Sequence, residues 1–319
     1  MPFEAADTGL SLVADIGGTN TRVALAVGSR VETTSVRRYR NADYDGLAPV
    51  LVRYLTDTET SDAAITGACV AAAGPVHDGV AELTNLDWRI DRTTLGEALT
   101  ADKVAVLNDL QAQGHAIGNL ADEDLVEVVP QPQASDMAAK LVVGIGTGFN
   151  ACPVFDTASG RFVPPSEAGH VSLPACDPAL APVMADMMDR FGFASIEELL
   201  SGRGVSYLHR VLHGQDIPTP EVMARLAQGD PAAVETGRVF VRVMGTVVGD
   251  LALSHLPFGG IYLVGGVTRA FEPHLARFDF IGAVRDKGRF SDFMEQFGAF
   301  VVTDDYAALT GCAAHLAKL

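Results

Sequence analysis

The sequence predicts an α/β protein, and three observations lead to that prediction. Short apolar segments of strand-like composition recur in the first half of the chain, separated by polar or glycine-rich residues. Between residues 178 and 256 the apolar residues instead recur mostly at helical spacing. Strand and helix patterns then alternate again toward residue 319, as they do in α/β folds.

The strand segments can be placed one by one along the chain. Glycine-containing breaks near residues 202–204 and 229–231 divide the helical region into several helices. A closing helix is expected over residues 306–318, where small residues form one face suited to close helix packing. The expected strands cover residues 11–16, 22–27, 67–73, 103–108, 140–145, 260–266 and 299–305.

Length, composition and charge limit the class of protein. The 319 residues suffice for one large domain or two ordinary ones, and 48% of them are hydrophobic while 20% are charged, as in globular proteins. With 23 Lys and Arg against 40 Asp and Glu, the net charge is −17. A surface that negative repels phosphodiester backbones and anionic lipids, so neither nucleic acid nor a membrane is an expected partner. Backbone N–H groups can still form a local anion site.

Targeting and cysteine patterns indicate the compartment. The first ten residues lack the basic and apolar regions of a signal peptide, and the apolar runs are too short to span a bilayer. We therefore expect a cytoplasmic protein. The cysteines are scattered without a Cys-x-x-Cys pair, which favours reduced, buried thiols over disulfides or a zinc site. They are Cys69, Cys152, Cys176 and Cys312.

The segment 15–22, Asp-Ile-Gly-Gly-Thr-Asn-Thr-Arg, is the first candidate phosphate site. Gly17 and Gly18 allow positive φ and a close approach of backbone N–H groups to an anion. Asp15 ends a strand and is placed to hold a hydrated Mg²⁺. An ordinary hairpin turn would explain the glycines about as well. The density of donors favours the phosphate site, and the side chains that supply them are Thr19, Asn20 and Thr21.

The segment 144–150 repeats this logic, with three glycines at alternate positions and Thr147 between Gly146 and Gly148. Three glycines indicate that something approaches the backbone closely. In both segments a strand-like pattern resumes after the glycines, so both are predicted to be β-hairpin turns. This excludes a Rossmann fingerprint, which needs a following helix, and a Walker A loop, which needs a terminal Gly-Lys-Ser/Thr. Two such turns could clamp a polyphosphate.

Asn108 and Asp109 follow an apolar strand and precede a helical segment. Helix capping explains both residue types. Alternatively, Asp109 is a carboxylate that accepts a proton from a hydroxyl nucleophile. A second polar pair, Glu167 and His170, could bind vicinal sugar hydroxyls, although a surface glutamate and a structural histidine would look the same. Prolines and a glycine around this pair argue against a helix and therefore against a helical Glu-x-x-His metal site.

Gly265 and Gly266 end a strand before a probable helix. The pair could receive an adenosine, or it could simply form a tight strand–helix turn. The sequence of the pair does not decide between these two interpretations.

In this order the motifs resemble those of bacterial glucokinase of the proteobacterial hexokinase-like type, in the actin-like ATPase superfamily. The resemblance covers nearly the whole chain, and it is the ordered series of motifs that makes it specific. A zinc-type Cys/His cluster, found in the repressor–kinase sugar-binding family, is absent from the sequence. The matching segments are 15–22, 71–76 (AAAGPV), 83–88 (LTNLDW), 107–113 (LNDLQAQ), 144–150, 167–170 (EAGH), 200–204 (LSGRG) and 263–267 (LVGGV).

The resemblance implies a two-lobed actin-like, ribonuclease H-like fold with the active site in the cleft between the lobes. Residues 1–117 with 304–319 would form the small lobe, and residues 118–303 the large lobe with a helical insertion. It also implies ATP and Mg²⁺ as cofactors, with Asp15 acting on the metal through water. The chain would be a homodimer that binds glucose or a related hexose.

The resemblance assigns roles residue by residue. Asp109 would be the catalytic base on the sugar 6-hydroxyl. The sugar hydroxyls would be bound by Asn108, Glu167, His170 and Glu197. ATP would be bound by Asp15, Gly17, Gly18, Thr19, Asn20, Gly146, Thr147, Gly148, Gly265 and Gly266.

The implied reaction is ATP-dependent phosphorylation of glucose at the 6-hydroxyl, giving glucose 6-phosphate and ADP. Three alternatives remain at this point: a kinase for fructose, mannose or an N-acetylated amino sugar; a non-catalytic sugar sensor; and an actin-like or chaperone-type ATPase. The chain departs from the family pattern at Ala168, where many members carry glycine, and at Asn150, where the loop is often glycine-rich. Each departure could alter sugar or nucleotide preference.

Overall fold

The computed structural model describes residues 9–83 and 86–319. Two parts of the sequence discussed above lie outside these residues. They are residues 1–8, which belong to the stretch without signal-peptide features, and Thr84 and Asn85 of the segment 83–88. The chain forms two compact units. The first unit takes the residues up to Ala121 together with Asp304–Leu319, and the second takes Asp122–Thr303.

The strands and helices are numbered in chain order. The strands are β1 (Leu10–Ile16), β2 (Asn20–Val27), β3 (Arg30–Val31), β4 (Arg37–Arg40), β5 (Ile65–Ala72), β6 (Val76–His77), β7 (Val80–Glu82), β8 (Arg89–Asp91), β9 (Lys103–Asn108), β10 (Leu125–Val129), β11 (Lys140–Ile145), β12 (Phe149–Thr157), β13 (Gly160–Phe162), β14 (Ile261–Val264) and β15 (Ala299–Val302). The α-helices are α1 (Leu47–Asp57), α2 (Arg92–Leu99), α3 (Asp109–Ala116), α4 (Leu180–Phe191), α5 (Ile196–Leu199), α6 (Gly202–His213), α7 (Thr219–Gln228), α8 (Pro231–His255), α9 (Gly266–Leu275), α10 (Phe280–Arg285) and α11 (Ala307–Leu316).

The main sheet of the first unit has the order β3-β2-β1-β5-β9, with β4 also paired to β2. β1 and β2 form an antiparallel hairpin, which confirms the first predicted glycine-rich turn. β1, β5 and β9 are parallel, with Asp15 opposite Ala71 and Ala72 opposite Asn108. The carboxyl ends of these strands therefore meet at one edge of the sheet, where Asp15 and Asn108 both lie.

Helices cover both faces of this sheet. One face packs against α1, where Val50, Leu51 and Tyr54 are buried. The other packs against α11, whose buried residues include Leu309 and Cys312. α11 also packs tightly against α3, because a Cβ atom on Gly311 would overlap the carbonyl oxygen of Ala112. The small-residue face predicted for the closing helix is therefore a helix–helix contact.

The sheet of the second unit has the order β10-β15-β14-β11-β12-β13. β11 and β12 form an antiparallel hairpin, so the second predicted glycine-rich turn is confirmed. β14 lies parallel to both β11 and β15. The remaining sheet, β6-β7-β8, is a small antiparallel one in the first unit.

The helical pattern between residues 178 and 256 corresponds to helices α4–α8. The longest of these, α8, begins with Pro231 after Asp230, whose side chain accepts a hydrogen bond from the N–H of Ala233 at 3.0 Å. Leu256 ends it in a left-handed conformation. Fourteen of its residues are buried, which makes it a central helix of the unit. Among the described residues, no helix is long and apolar enough to cross a membrane.

Candidate active site

The first glycine-rich turn, residues 17–19, is held by its own backbone and by Asn41. The N–H of Gly17 donates to the carbonyl of Asn20 at 3.0 Å. Asn41 is 1% exposed, and its Nδ2 donates to the carbonyl of Gly17 at 2.8 Å while its N–H donates to the carbonyl of Thr19 at 2.9 Å. Gly18 and Thr19 are exposed. The turn is thus fixed by Asn41 on its buried side, and Gly18 and Thr19 are open to solvent.

The glycines of the two turns do not use the positive φ that this residue type allows. Neither Gly17 nor Gly18 is among the described residues with positive φ, and the same holds for Gly146 and Gly148. A Cβ atom on Gly146 would meet no protein atom within 4 Å, and one on Gly17 would meet only a backbone oxygen at 3.5 Å. The fold itself does not require glycine at these two positions. Without a side chain, these two positions leave the backbone open to a close approach.

Asp15 is the last residue but one of β1, beside this turn. Its Oδ2 lies 3.5 Å from Nη1 of Arg22, which also donates to the carbonyl of Asp305 at 3.2 Å. Burial raises the pKa of the Asp15 carboxyl above its ordinary value, and the guanidinium of Arg22 offsets only part of that rise. Among the described residues no group of three or more metal-ligating side chains occurs. A single carboxylate fits Mg²⁺ held mainly by phosphate oxygens and water, which is how this ion usually binds nucleotides.

Asn108 and Asp109 lie where β9 passes into α3. Oδ1 of Asn108 accepts from the N–H of Leu110 at 2.9 Å, and Oε1 of Gln111 accepts from the N–H of Asn108 at 3.1 Å. This is a capping box, so the capping interpretation of Asn108 is confirmed. Nδ2 of Asn108 donates to the carbonyl of Gly74 at 2.9 Å. The amide has a second N–H, so capping does not exhaust its hydrogen-bonding capacity.

Asp109 is the first residue of α3 and is half-buried. Its Oδ1 accepts from the N–H of Leu110 at 2.8 Å. A carboxylate in the first turn of a helix interacts favourably with the unpaired backbone N–H groups there. The side chain is held in place by a capped helix and can accept a proton.

Glu167 precedes a short 3-10 turn, Ala168–His170, and His170 is the last residue of that turn. Their Oε2 and Nε2 atoms are 4.0 Å apart, and the side chains are 58% and 66% exposed. The surrounding backbone is anchored, because a Cβ atom on Gly169 would overlap the carbonyl oxygen of Phe149. As predicted, no α-helix forms around this pair, although Ala168–His170 make one turn of 3-10 helix. Glu167 and His170 can therefore present polar atoms to solvent or to a ligand.

Glu197 belongs to the first turn of α5 and is bound on both oxygens. Oε2 accepts from the N–H of Phe149 at 3.0 Å, and Oε1 accepts from Nη2 of Arg203 at 3.0 Å. A Cβ atom on Gly148 would overlap this carboxylate. A side chain at position 148 would therefore have to displace the Glu197 carboxylate, whereas one at position 146 would meet no protein atom. The residue just before Glu197, Ile196, donates its N–H to the carbonyl of Val171 at 3.0 Å.

Gly265 and Gly266 precede and begin α9. Gly265 has φ +105°, and a Cβ atom there would overlap the carbonyl of Ile145. The interpretation as a tight strand–helix turn accounts for this glycine. Gly266 is exposed, and a Cβ atom on it would meet nothing within 4 Å. Of this pair, only at Gly266 does the packing of the protein not account for the glycine.

A pocket of about 480 Å³ lies on the second unit behind the segment that carries Glu167. It extends to the carboxyl-terminal part of α8. Burial lowers the pKa of His255 on its wall. The lining residues include Ser166, Glu167, Ala168, Asp250, Ser254 and His255.

Each unit brings together part of the predicted set. In the first unit, Asp15, the turn 17–19, Asn108 and Asp109 share one sheet edge. In the second, Glu167, His170, Glu197 and the turn 146–148 lie around the start of β12. Gly265 and Gly266 follow the neighbouring strand β14.

Three supporting residues were not predicted to be part of the site. Arg203 lies inside the matched segment 200–204, so a sequence motif already marked the region that contacts Glu197. Asn150 was noted only as a departure from the family pattern. Asn41 had no signal, because it lies 24 residues from Gly17 in a stretch without a motif.

A model of the glucokinase family matches residues 12–319. The glucokinase of Erwinia tasmaniensis is 31% identical over 316 residues, covering 97% of both chains. A bifunctional protein of Paraburkholderia xenovorans is 32% identical over 317 residues, and this chain spans about half of it, 49%. The crystal structure of glucokinase from an Antarctic psychrotroph has a TM-score of 0.84 at 28% identity, covering 96% of this chain and 98% of that one. These likenesses confirm the predicted actin-like α/β fold.

Proposed function

The chain belongs to the glucokinase family, and we propose that it transfers the γ-phosphoryl group of ATP to the 6-hydroxyl of glucose with Asp109 as the base. The activity that defines this family is ATP-dependent phosphorylation of glucose. The observation that carries the residue assignment is the capped start of α3, which fixes Asn108 and Asp109 side by side at the carboxyl end of β9.

Asp109 has the properties that a base for this reaction needs. Phosphoryl transfer requires alignment and charge stabilisation more than covalent chemistry, so one positioned carboxylate suffices on the protein side. The capped start of α3 fixes the Asp109 carboxyl, which can accept the hydroxyl proton. The proton then resides on the Asp109 carboxyl while the sugar oxygen attacks the phosphorus.

We assign the sugar hydroxyls to Asn108, Glu167, His170 and Glu197. Asn108 offers its second amide N–H. The exposed carboxylate of Glu167 accepts hydrogen bonds, and the imidazole of His170 donates or accepts them. Glu197 is already oriented by Phe149 and Arg203, so little entropy is lost when it binds a hydroxyl.

We assign the ATP phosphates to the two glycine-rich turns, where glycine at Gly17 and Gly146 has no role in the protein's own packing. Side-chain donors would come from Thr19, Asn20 and Thr147, and backbone N–H groups from Gly18 and Gly148. The adenosine would bind at Gly265–Gly266. Asp15 would hold Mg²⁺ through water; when bound, the ion offsets charge on the phosphate oxygens. We further propose a cytoplasmic homodimer.

A coupled assay of ADP release with Mg-ATP tests the proposal. It compares glucose with fructose, mannose, N-acetylglucosamine and no sugar. Turnover that depends on glucose, far above the other sugars, supports the proposal. Preference for another hexose would retain the fold and the base but overturn the substrate. No turnover with any sugar would overturn the enzymatic assignment, and calorimetry with the same sugars would then test a sensor.

A further inference from the structure

We propose that Asn150 is a positioning residue for sugar binding, which fixes the segment that carries Glu167 onto the strand that leaves the second glycine-rich turn. The inference rests on the proposed function, because it concerns how one proposed sugar ligand is held. It concerns a residue that has no sugar contact assigned to it.

Asn150 binds the backbone on both sides of Glu167. Its Nδ2 donates to the carbonyl of Ser166 at 2.5 Å. Its Oδ1 accepts from the N–H of Ala168 at 3.0 Å and from the N–H of Ala151 at 2.8 Å. One side chain thus fastens the residue before and the residue after the proposed ligand.

Glu167 depends on this anchor together with the packing of Gly169 against Phe149, because its own side chain is exposed. Residues 163–167 form no helix or strand, and the Glu167 side chain is 58% exposed. Its Oε2 lies 4.0 Å from Nε2 of His170, which is longer than a hydrogen bond. An exposed carboxylate on an irregular segment samples many positions unless its backbone is fixed. The two bonds from Asn150 supply that restraint.

Asn150 also connects the segment to the second glycine-rich turn. It lies two residues after Gly148 and opposite Gly144 on β11. The preceding residue, Phe149, donates its N–H to Glu197. The start of β12 therefore holds both proposed sugar carboxylates, Glu197 through a backbone N–H and Glu167 through the Asn150 side chain.

The test compares Asn150→Ala with wild type under saturating Mg-ATP. Loss of two ordering hydrogen bonds should raise the KM for glucose roughly tenfold. The KM for ATP should stay within about twofold, because the turn 146–148 keeps its own bonds, including that from the N–H of Gly202 to the carbonyl of Gly146. Calorimetry with glucose alone should show the same loss of affinity.

Thr157→Ala is the matched control at the far end of the same strand. Its hydroxyl donates to the carbonyl of Gly160 at 2.7 Å, so the variant also removes a side-chain bond from β12. It should leave the KM for glucose unchanged. If the role of Asn150 were purely structural, Asn150→Ala would lower the thermal midpoint and leave the KM values for glucose and for ATP unaltered.

A double-mutant cycle with Glu167→Gln gives the sharpest readout. Because Asn150 acts through Glu167, the double variant should bind glucose no more weakly than Glu167→Gln alone. Multiplying effects would overturn the inference, as would a KM for glucose in Asn150→Ala within about twofold of wild type. If the alanine variant fails to fold, Asn150→Asp carries the same test, since it keeps the acceptor and loses the donor to Ser166. A wild type without sugar-dependent turnover would overturn the proposed function as well, whereas an active wild type with an unaffected variant overturns only this inference.

Discussion

Oε2 of Glu197 accepts a hydrogen bond from the backbone N–H of Phe149 at 3.0 Å. The bond joins a proposed sugar ligand to the first residue after the turn 146–148, and a side chain at Gly148 would displace the bound carboxylate. The position of this carboxylate is therefore set by the backbone of β12. A change of charge at Glu197 should alter ligand binding without moving the strand.

Glu197→Gln should raise the KM for glucose by roughly ten- to a hundredfold, because hydrogen bonds to charged groups are stronger than those to neutral ones. Glu198→Gln is the matched control. Glu198 also accepts from Arg203, at 3.1 Å, but no bond joins it to Phe149. Steady-state kinetics on both variants provide the measurement. Equal effects in the two would show that only the charge around Arg203 matters.

Asp109→Asn should lower kcat by about 10²- to 10⁴-fold, the usual loss when a positioned base is removed. An asparagine oxygen can still accept from the N–H of Leu110, so the start of α3 should persist. Glucose affinity measured by calorimetry should change little. A variant that retains most of its kcat would contradict the assignment of the base.

Asn41→Ala should raise the KM for Mg-ATP more than the KM for glucose. It removes the bond to Gly17 and leaves the buried hydroxyl of Thr21, which donates to Oδ1 of Asn41 at 2.8 Å, without its acceptor. The free energy of unfolding should fall by about 1–3 kcal/mol. Asn119→Ala, at an exposed position, controls for the loss of an asparagine side chain. An unchanged KM for ATP would separate Asn41 from nucleotide binding.

Thermal stability should fall as the pH is lowered from about 5 to 3, in part through Asp156. Hydrogen bonds from Arg161 and then Lys140, at 2.8 and 2.9 Å, hold the pKa of this carboxyl well below its usual range. The stabilisation is complete above the unfolded-state pKa near 4 and is lost as the pH falls toward the folded-state pKa.

Asp156→Asn should therefore be less stable than wild type at neutral pH and should lose fewer degrees between pH 5 and 3. Differential scanning calorimetry across this range measures both effects. Other carboxyls with lowered pKa values, such as Asp177 and Asp186, should maintain some pH dependence in the variant. Parallel pH profiles for the two proteins would contradict the role of Asp156.

One cysteine in four should react with a thiol reagent in the native protein. Cys176 is half-buried, whereas the other three are buried. Burial and the neighbouring Cys69 raise the pKa of Cys312, which suppresses its reactive thiolate. Titration before and after denaturation gives the count. Rapid reaction of three or more native thiols would indicate that these cores open readily.

Regular periodicity and turn chemistry made most of the fold predictable. Hairpins at residues 17–19 and 146–148 follow from glycines set between two strand patterns. Strands of two or three residues such as β3 and β6 could not be predicted, because they are too short to show alternation. Their pairing depends on neighbours that are fixed only in the folded chain.

The candidate site shows the same division. Local context marked Asn108 as a cap, and the family resemblance implied that it is a ligand; these interpretations are compatible because one amide can serve both. Contacts that join distant segments, such as that of Asn41 with Gly17 or of Asn150 with Ser166, had no local signal. A hydrogen bond across 24 or 16 residues depends on the whole fold, and a window of sequence does not contain it.

The interrupted first unit has a consequence for the order of events during synthesis. A ribosome must complete residues 122–303 before it makes α11, the helix whose Gly311 packs against Ala112 of α3. Until then the helix that begins at Asp109 lacks one of its supports and exposes apolar surface. The nascent chain therefore carries an incomplete first unit for most of its translation, and a pause or cleavage before residue 304 would yield a product with the proposed base in its sequence but without the support that holds it.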